Sequence, residues 1–280
     1  MKRQIFGLFG YPVGHSLSAA MHNAAFKYLK MNAKYMLFEV PPSGLRQAAD
    51  GILKFGIKGV NVTIPHKESI IDYLDAIDEA AKLIGAVNTI VVKKGRLIGY
   101  NTDGYGFLQS LKQDLKFSPK GRSVFILGSG GAAKAVAFGL AKAGAGRIVL
   151  SDIDDGKAIR LANRIKAKIP KCDCIAVESS SMGRWELLLN SQLLVNATPC
   201  GMRKGDPMPV PAESLRKGLS VFDLVYNRNT ELLKSSRRKG LKAADGLGML
   251  LHQGAGAFNL WTGKKAPVKV MSRALKAANK

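Results

Sequence analysis

The chain has 280 residues, 46% of them hydrophobic and 22% charged, enough apolar material for the core of one large domain or two of ordinary size. Its 43 basic and 20 acidic residues leave a net charge of +23, a field that attracts anions, but the basic residues are scattered and not interleaved with aromatics, which argues against a nucleic-acid surface. No apolar run approaches the roughly 20 residues of a membrane span, and three cysteines, Cys172, Cys174 and Cys200, form neither a disulfide framework nor, without neighbouring ligands, a metal set.

The N-terminal MKRQIFGLFGYPVG has its apolar stretch broken by glycines and a proline. It reads as a first strand, Ile5–Phe9, running into a loop rather than as a signal peptide, and points to the cytoplasm. Ser18–Lys30 reads as a helix, with Ser18 as N-cap and Met21, Ala24, Ala25 and Tyr28 at helical spacing. Lys34–Val40 is a strand closed by two prolines, Ser43–Phe55 a helix, and Gly59–Ile64 a strand closed by Pro65. Glu68–Ile84 is expected to be helical, and Ala86–Lys93 with Arg96–Tyr100 to form a hairpin about Lys94-Gly95. Strands alternating with helices predict an α/β domain with a mainly parallel sheet.

A second unit starts after Ser118-Pro-Lys-Gly121. Ser123–Leu127 is a buried strand, Gly128-Ser129-Gly130-Gly131 a turn, and Ala132–Ala143 a helix of small residues. Gly128, Gly130 and Ala133 match the G-x-G-x-x-G/A fingerprint of dinucleotide-binding folds. Small residues there allow the turn, the approach of a pyrophosphate and the packing of helix on strand, while the helix N-terminus offers free N–H groups. The next strand, Arg147–Ser151, leads to an acidic residue, Asp152, 22 positions after Gly130, where a ribose hydroxyl is commonly held. A helix over Asp155–Lys168, strands over Leu193–Asn196 and Ser220–Asp223, and helices over Gly246–Leu260 and Pro267–Ala278 complete the chain.

Four polar clusters in the first hundred residues fall where strands end: Gly14-His-Ser-Leu-Ser18, Asn61-Val-Thr-Ile-Pro-His-Lys67, Gly85-Ala-Val-Asn-Thr89 and Gly99-Tyr-Asn-Thr-Asp103. Singly, each has a plain explanation: Ser18 or Asp103 as a helix cap, Asn88 in a turn, Lys67 on the surface. Together with GSGGAA, NATPCGM, DLVYN and GMLLHQGAGAF, in this order and spacing, they resemble the shikimate dehydrogenases from about Phe6 to Leu260.

The resemblance implies an α/β fold with an N-terminal substrate domain (residues 1–103 and 246–280) and a Rossmann dinucleotide-binding domain (104–245), the last helices returning to the first domain. It implies an oxidoreductase of aromatic amino acid biosynthesis that reversibly reduces 3-dehydroshikimate to shikimate by hydride transfer from a nicotinamide cofactor. Lys67 and Asp103 are then the catalytic pair, Lys67 moving the hydroxyl proton and Asp103 orienting it. Ser16 and Ser18 are expected at the shikimate carboxylate, with Tyr226 closing that end. Thr63, Asn88 and Gln253 are expected on the ring hydroxyls or carboxylate. Gly128, Ser129, Gly130, Gly131, Ala132, Asp152, Ile153, Asn196, Thr198, Leu224 and Gly246 are expected along the cofactor. No metal is implied, and His15, His22, His66 and His252 take no catalytic part.

One stretch departs from the family pattern. NADP-using members carry Asn-Arg-Thr after the second Rossmann strand, whereas this chain reads Asp152-Ile153-Asp154. A carboxylate accepts a hydrogen bond from a free ribose 2′-hydroxyl and repels a 2′-phosphate, so NAD is the preferred cofactor by sequence, with NADP open through Lys157 or Arg160. The alternatives are an NAD-dependent quinate/shikimate dehydrogenase, from which Ser18 departs because that branch tends to carry threonine there, and a non-turning-over cofactor- or nucleic-acid-binding module. The expected partners are small molecules, with no membrane, and the chain is expected to be a monomer or homodimer.

Overall fold

In the computed structural model, which describes residues 3–279, the chain divides into two compact units: Met1–Gly106 with Leu250–Lys280, and Phe107–Met249. The first unit begins with β1 (Gln4–Gly10), α1 (Ser18–Tyr28), β2 (Ala33–Glu39), α2 (Leu45–Lys54) and β3 (Gly59–Val62). There follow β4 (Ala76–Ile77), α3 (Glu79–Ile84), β5 (Thr89–Lys93), β6 (Arg96–Tyr100) and α4 (Asp103–Asp114), within which the chain passes to the second unit. The sheet order is β2-β1-β3-β5-β6-β4. β1 is buried over its last five residues, as expected of a strand covered on both faces. β3 is buried throughout, so its one polar residue, Asn61, has to find partners inside the protein.

The sheet is mainly parallel, as expected, with one strand reversed: β5 runs antiparallel to both its neighbours, β3 and β6, and the Lys94-Gly95 turn, with φ of 52° and 72°, reverses the chain between β5 and β6. Two expectations are corrected here. The helix expected over Glu68–Ile84 is only a 3-10 turn (Ser69–Tyr73), then β4, then α3. Asp75 breaks it by pairing its carboxylate with the Leu97 N–H, and Asp78 restarts it by capping the Ala80 N–H at 2.9 Å. Ser18 does not cap α1. It is the first helical residue, and its own N–H donates to Ser16 Oγ at 3.3 Å.

The second unit is a purely parallel six-stranded sheet. Its elements are β7 (Ser123–Leu127), α5 (Gly131–Lys142), β8 (Arg147–Ser151), α6 (Asp155–Lys168), β9 (Asp173–Ala176), α7 (Arg184–Leu189), β10 (Leu193–Asn196), β11 (Ser220–Asp223), α8 (Glu231–Arg238) and β12 (Lys242–Ala244). The order β12-β11-β10-β7-β8-β9 is that of the Rossmann fold, and the chain reverses direction across the sheet between β7 and β10. Phe125, Val149, Leu194 and Val221, one from each central strand, share a core with Leu188 and Leu232 of the covering helices.

The chain returns to the first unit within α9 (Leu247–Thr262) and ends in α10 (Val268–Ala278), which packs along α1. Trp261 anchors this return, donating its indole N–H to the Ile90 carbonyl at 2.9 Å and lying 5.3 Å from the Phe6 ring.

Candidate active site

In the first unit the expected catalytic pair is formed. Lys67 Nζ lies 2.5 Å from Asp103 Oδ2, with the two side chains 14% and 5% exposed. A lysine in a loop needs anchoring to stay there. Val87 N–H donates to the Lys67 carbonyl at 2.7 Å, and buried His66 donates from Nε2 to the Val40 carbonyl at 2.6 Å. His66 thus ties this loop to the end of β2. Asp103 opens α4 but is not engaged as its cap: its second oxygen, Oδ1, accepts from Asn88 Nδ2 at 2.8 Å. The same amide lies 3.2 Å from Gln253 Oε1, so Lys67, Asn88, Asp103 and Gln253 form one network drawn from four separate stretches of chain. Because most of it is removed from water, its ion pair and hydrogen bonds are stronger than on an open surface.

Ser16 and Ser18 flank the start of α1, Ser16 half-buried and Ser18 buried. Thr63 is half-buried just beyond β3, its N–H bonded to the Phe9 carbonyl. Asn61, Thr89 and Thr102 are also buried and hydrogen-bonded to Asn88 or to one another, roles that the sequence patterns alone do not disclose.

In the second unit the expected loop stands at the sheet's reversal point. Gly128 has φ of +97°, and a Cβ there would come within 3.0 Å of the Ala197 carbonyl oxygen beyond β10, so a side chain is excluded on two grounds. Gly130 is the N-cap of α5 with no side-chain cap, and a Cβ there would meet nothing within 4 Å. The first turn of α5, Gly131 and Ala132 included, therefore presents free N–H groups to open space. Ser129 is buried with a hydroxyl that has no protein partner. These are features of a loop shaped for a phosphate-bearing group, so the residues present fit a dinucleotide.

Asp152 sits beside that loop. Its Oδ2 accepts from the Ser129 N–H at 2.6 Å and its Oδ1 from the Asp154 N–H at 2.9 Å, so the carboxylate is fixed between the glycine turn and the start of α6. Ile153 is 97% exposed and offers no charge. Asp154 caps α6, and the Lys157 N–H hydrogen bond to its carboxylate, reinforced by the Lys157 ammonium at 3.4 Å, holds that carboxyl below its usual range.

Among the other expected residues, Asn196 is wholly buried. Its amide donates to Asp223 at 2.9 Å and to the Cys200 carbonyl at 3.1 Å and accepts from Thr198, so its action is to shape the loop carrying Thr198. Leu224 and Gly246 are brought together, since a Cβ on Gly246 would fall into the Leu224 carbonyl. Tyr226 belongs to the second unit, where burial pushes its phenol above the ordinary range. Burial raises the Cys172 and Cys174 thiols to about 11 and about 12, which keeps them protonated and unreactive. Among the described residues no three His, Cys, Asp or Glu converge as a metal site, and no helix is long and apolar enough to cross a membrane.

Fold and site define a two-unit α/β oxidoreductase with a Rossmann-type second unit. The family described as the shikimate dehydrogenase substrate binding domain matches residues 8–90, and that described as the shikimate 5'-dehydrogenase C-terminal domain matches residues 246–276. A relative from Methanopyrus kandleri named shikimate dehydrogenase (NADP(+)) is 46% identical over 275 residues, 97% of this chain and 94% of its own. Among solved structures, a shikimate dehydrogenase in complex with NADP+ superposes with a TM-score of 0.90 at 41% identity, over 99% of this chain and 96% of that one. The shikimate 5-dehydrogenase of Listeria monocytogenes, solved with shikimate and NAD, gives 0.88 at 34% identity over 97% and 96%. The chain belongs to the shikimate dehydrogenase family.

Proposed function

We propose that this chain interconverts 3-dehydroshikimate and shikimate, working in the cytoplasm in aromatic amino acid biosynthesis with a nicotinamide dinucleotide as redox partner. The observation that carries this reading is the 2.5 Å Lys67–Asp103 pair braced by Asn88 and Gln253, within a family whose members are named for that reaction. When bound, the nicotinamide supplies or accepts the hydride. In the reductive direction Lys67 gives a proton from Nζ to the carbonyl oxygen, and in the oxidative direction takes it back from the hydroxyl. Asp103 orients the ammonium and holds the substrate hydroxyls. Ser16 and Ser18 bind the carboxylate, while Thr63, Asn88 and Gln253 fix the ring. The glycine turn and the first turn of α5 hold the pyrophosphate, and Thr198, Leu224 and Gly246 line the rest of the dinucleotide.

The preferred cofactor is NAD. Asp152 is fixed beside the glycine turn by the Ser129 and Asp154 backbone N–H groups, and Ile153 brings no cation to a 2′-phosphate. A phosphate dianion a few ångströms from a carboxylate is disfavoured more strongly than the screened +23 field can offset. Shikimate oxidation followed at 340 nm, with quinate as the comparison substrate, tests the reaction: turnover of shikimate is expected, and its absence overturns the reading. The ratio of kcat/KM for NAD and NADP tests the cofactor. It should favour NAD and swing toward NADP in the Asp152→Asn/Ile153→Arg double variant, whereas a tenfold wild-type preference for NADP would show that Lys157 or Arg160 captures the phosphate.

A further inference from the structure

The catalytic pair rests on a buried hydrogen-bond chain that begins well away from it, and each bond in that chain has only one possible direction. Asn88 Oδ1 lies 2.8 Å from the Thr102 backbone N–H, which can only donate. The oxygen of the Asn88 amide therefore faces Thr102, and its Nδ2 faces Asp103. Asn61 Nδ2 lies 3.1 Å from the Asn88 backbone carbonyl, which can only accept, so Asn61 is fixed in the same way, with its Oδ1 toward Tyr35.

The hydroxyls between them are then committed. Tyr35 donates to Asn61 Oδ1 at 2.9 Å. Asn61 Nδ2 donates to Thr89 Oγ1 at 3.1 Å, and Thr89 donates its one proton to Asn88 Oδ1, which can only accept, at 2.9 Å, nearer than the Thr102 hydroxyl at 3.3 Å. Asn88 donates to Asp103 Oδ1 at 2.8 Å. Tyr35 is itself held in place, 1% exposed, its ring stacked on His22 with 4.5 Å between centroids and 9° between planes. Tyr35, Asn61, Thr89 and Asn88 thus donate successively toward one carboxylate, and bonds aligned in this way polarise one another.

We infer that Tyr35 and Thr89 are positioning residues for the reaction: the chain Tyr35–Asn61–Thr89, acting with the Thr102 N–H on the same oxygen, holds the Asn88 amide in its donor orientation and so fixes Asp103 against Lys67. Neither side chain need touch substrate. The inference rests on the Lys67–Asp103 assignment proposed above, but the orientation of the Asn88 amide can be observed without turnover.

The test compares Thr89→Val, which keeps the shape and loses the hydroxyl, Thr89→Ser, which keeps the hydroxyl, and Tyr35→Phe, which cuts the chain at its far end with no change in ring packing. Two quantities are read in the full-length protein: kcat and KM for shikimate, and solvent exchange of the Asn88 side-chain amide protons by 15N NMR. Thr89→Val is expected to lower kcat at least tenfold with KM within threefold, and to speed amide exchange at least tenfold. Thr89→Ser should restore both to within about threefold of wild type, and Tyr35→Phe should move both in the same direction by a smaller factor. If Thr89→Val or Tyr35→Phe loosens the amide but leaves kcat within twofold, or leaves both unchanged, the inference is overturned. A wild-type protein that does not oxidise shikimate would instead remove the substrate reading, and slow amide exchange lost in Thr89→Val would still support the locking chain.

Discussion

The two units place their functional capacity in different parts of the chain. In the first unit it lies in side chains: Lys67 from a loop, Asn88 from just before β5, Asp103 from the start of α4 and Gln253 from within α9 converge, and each is held by hydrogen bonds to others of the set. In the second unit it lies in backbone: Gly128 at φ +97°, an uncapped first turn of α5, and Gly246 against the Leu224 carbonyl, with few side chains needed beyond Asp152. On the proposed function the first is a site for chemistry, where a proton must be moved between defined atoms. The second is a site for binding, where N–H groups need only be left free and correctly spaced. Changing one atom should therefore harm the first unit's rate without harming its fold, while adding one atom should harm the second unit's fold and cofactor affinity together.

The largest effect that sharpens this contrast is Asp103→Asn. Loss of the charge that orients Lys67 should lower kcat by roughly 10²–10³-fold while leaving the unfolding midpoint nearly unchanged, measured by steady-state kinetics and thermal denaturation of one preparation. A parallel fall in stability would mean that the pair is chiefly structural.

Gly246→Ala should do the reverse. Its new methyl group meets the Leu224 carbonyl, and the shift required should destabilise the protein by about 1–3 kcal/mol. Dinucleotide affinity should fall with it, and shikimate affinity far less, as calorimetric titrations would show. Equal losses for both ligands would break the comparison.

A smaller effect concerns His22, whose burial among Phe26, Tyr35, Phe258 and Trp261 lowers its pKa from 6.5 to about 3. The unfolded chain takes up this proton near 6.5 and the folded one only near 3. Stability is thus complete above the unfolded value and declines as pH falls between the two, by about 5 kcal/mol at most. His22→Phe should flatten that part of the stability–pH curve in denaturant titrations. An unchanged slope would show that other groups set it.

The same contrast explains how much was legible in the sequence. The Rossmann unit follows local rules: an apolar strand, a glycine turn and a small-residue helix can be read from consecutive residues, and Asp155–Lys168, Leu193–Asn196 and Ser220–Asp223 fall where expected. What escaped there were the short elements β9, α7 and β12, too brief to show a period, and α8, whose one-sided pattern and Thr230 cap were present but span only two turns. In the first unit Lys67, Asp103, Asn88 and Gln253 were legible as motif residues, but their convergence required pairing across as many as 165 positions. The segment 68–84 does not form one helix because Asp75 and Asp78 turn their carboxylates on backbone N–H groups. Asn61 and Thr89 stood inside recognised clusters and could have been suspected as buried polar residues. Nothing local marks Tyr35, whose hydroxyl acquires its partner only when β2 and β3 flank β1.

The central claim is that Lys67 moves the proton. It is tested most directly by comparing Lys67→Ala with the wild type in two measurements on the same protein: calorimetric binding of shikimate and the rate of its oxidation at 340 nm. The account predicts affinity within about tenfold of wild type and a turnover number lower by roughly 10³-fold. Turnover within a few fold of wild type would contradict it.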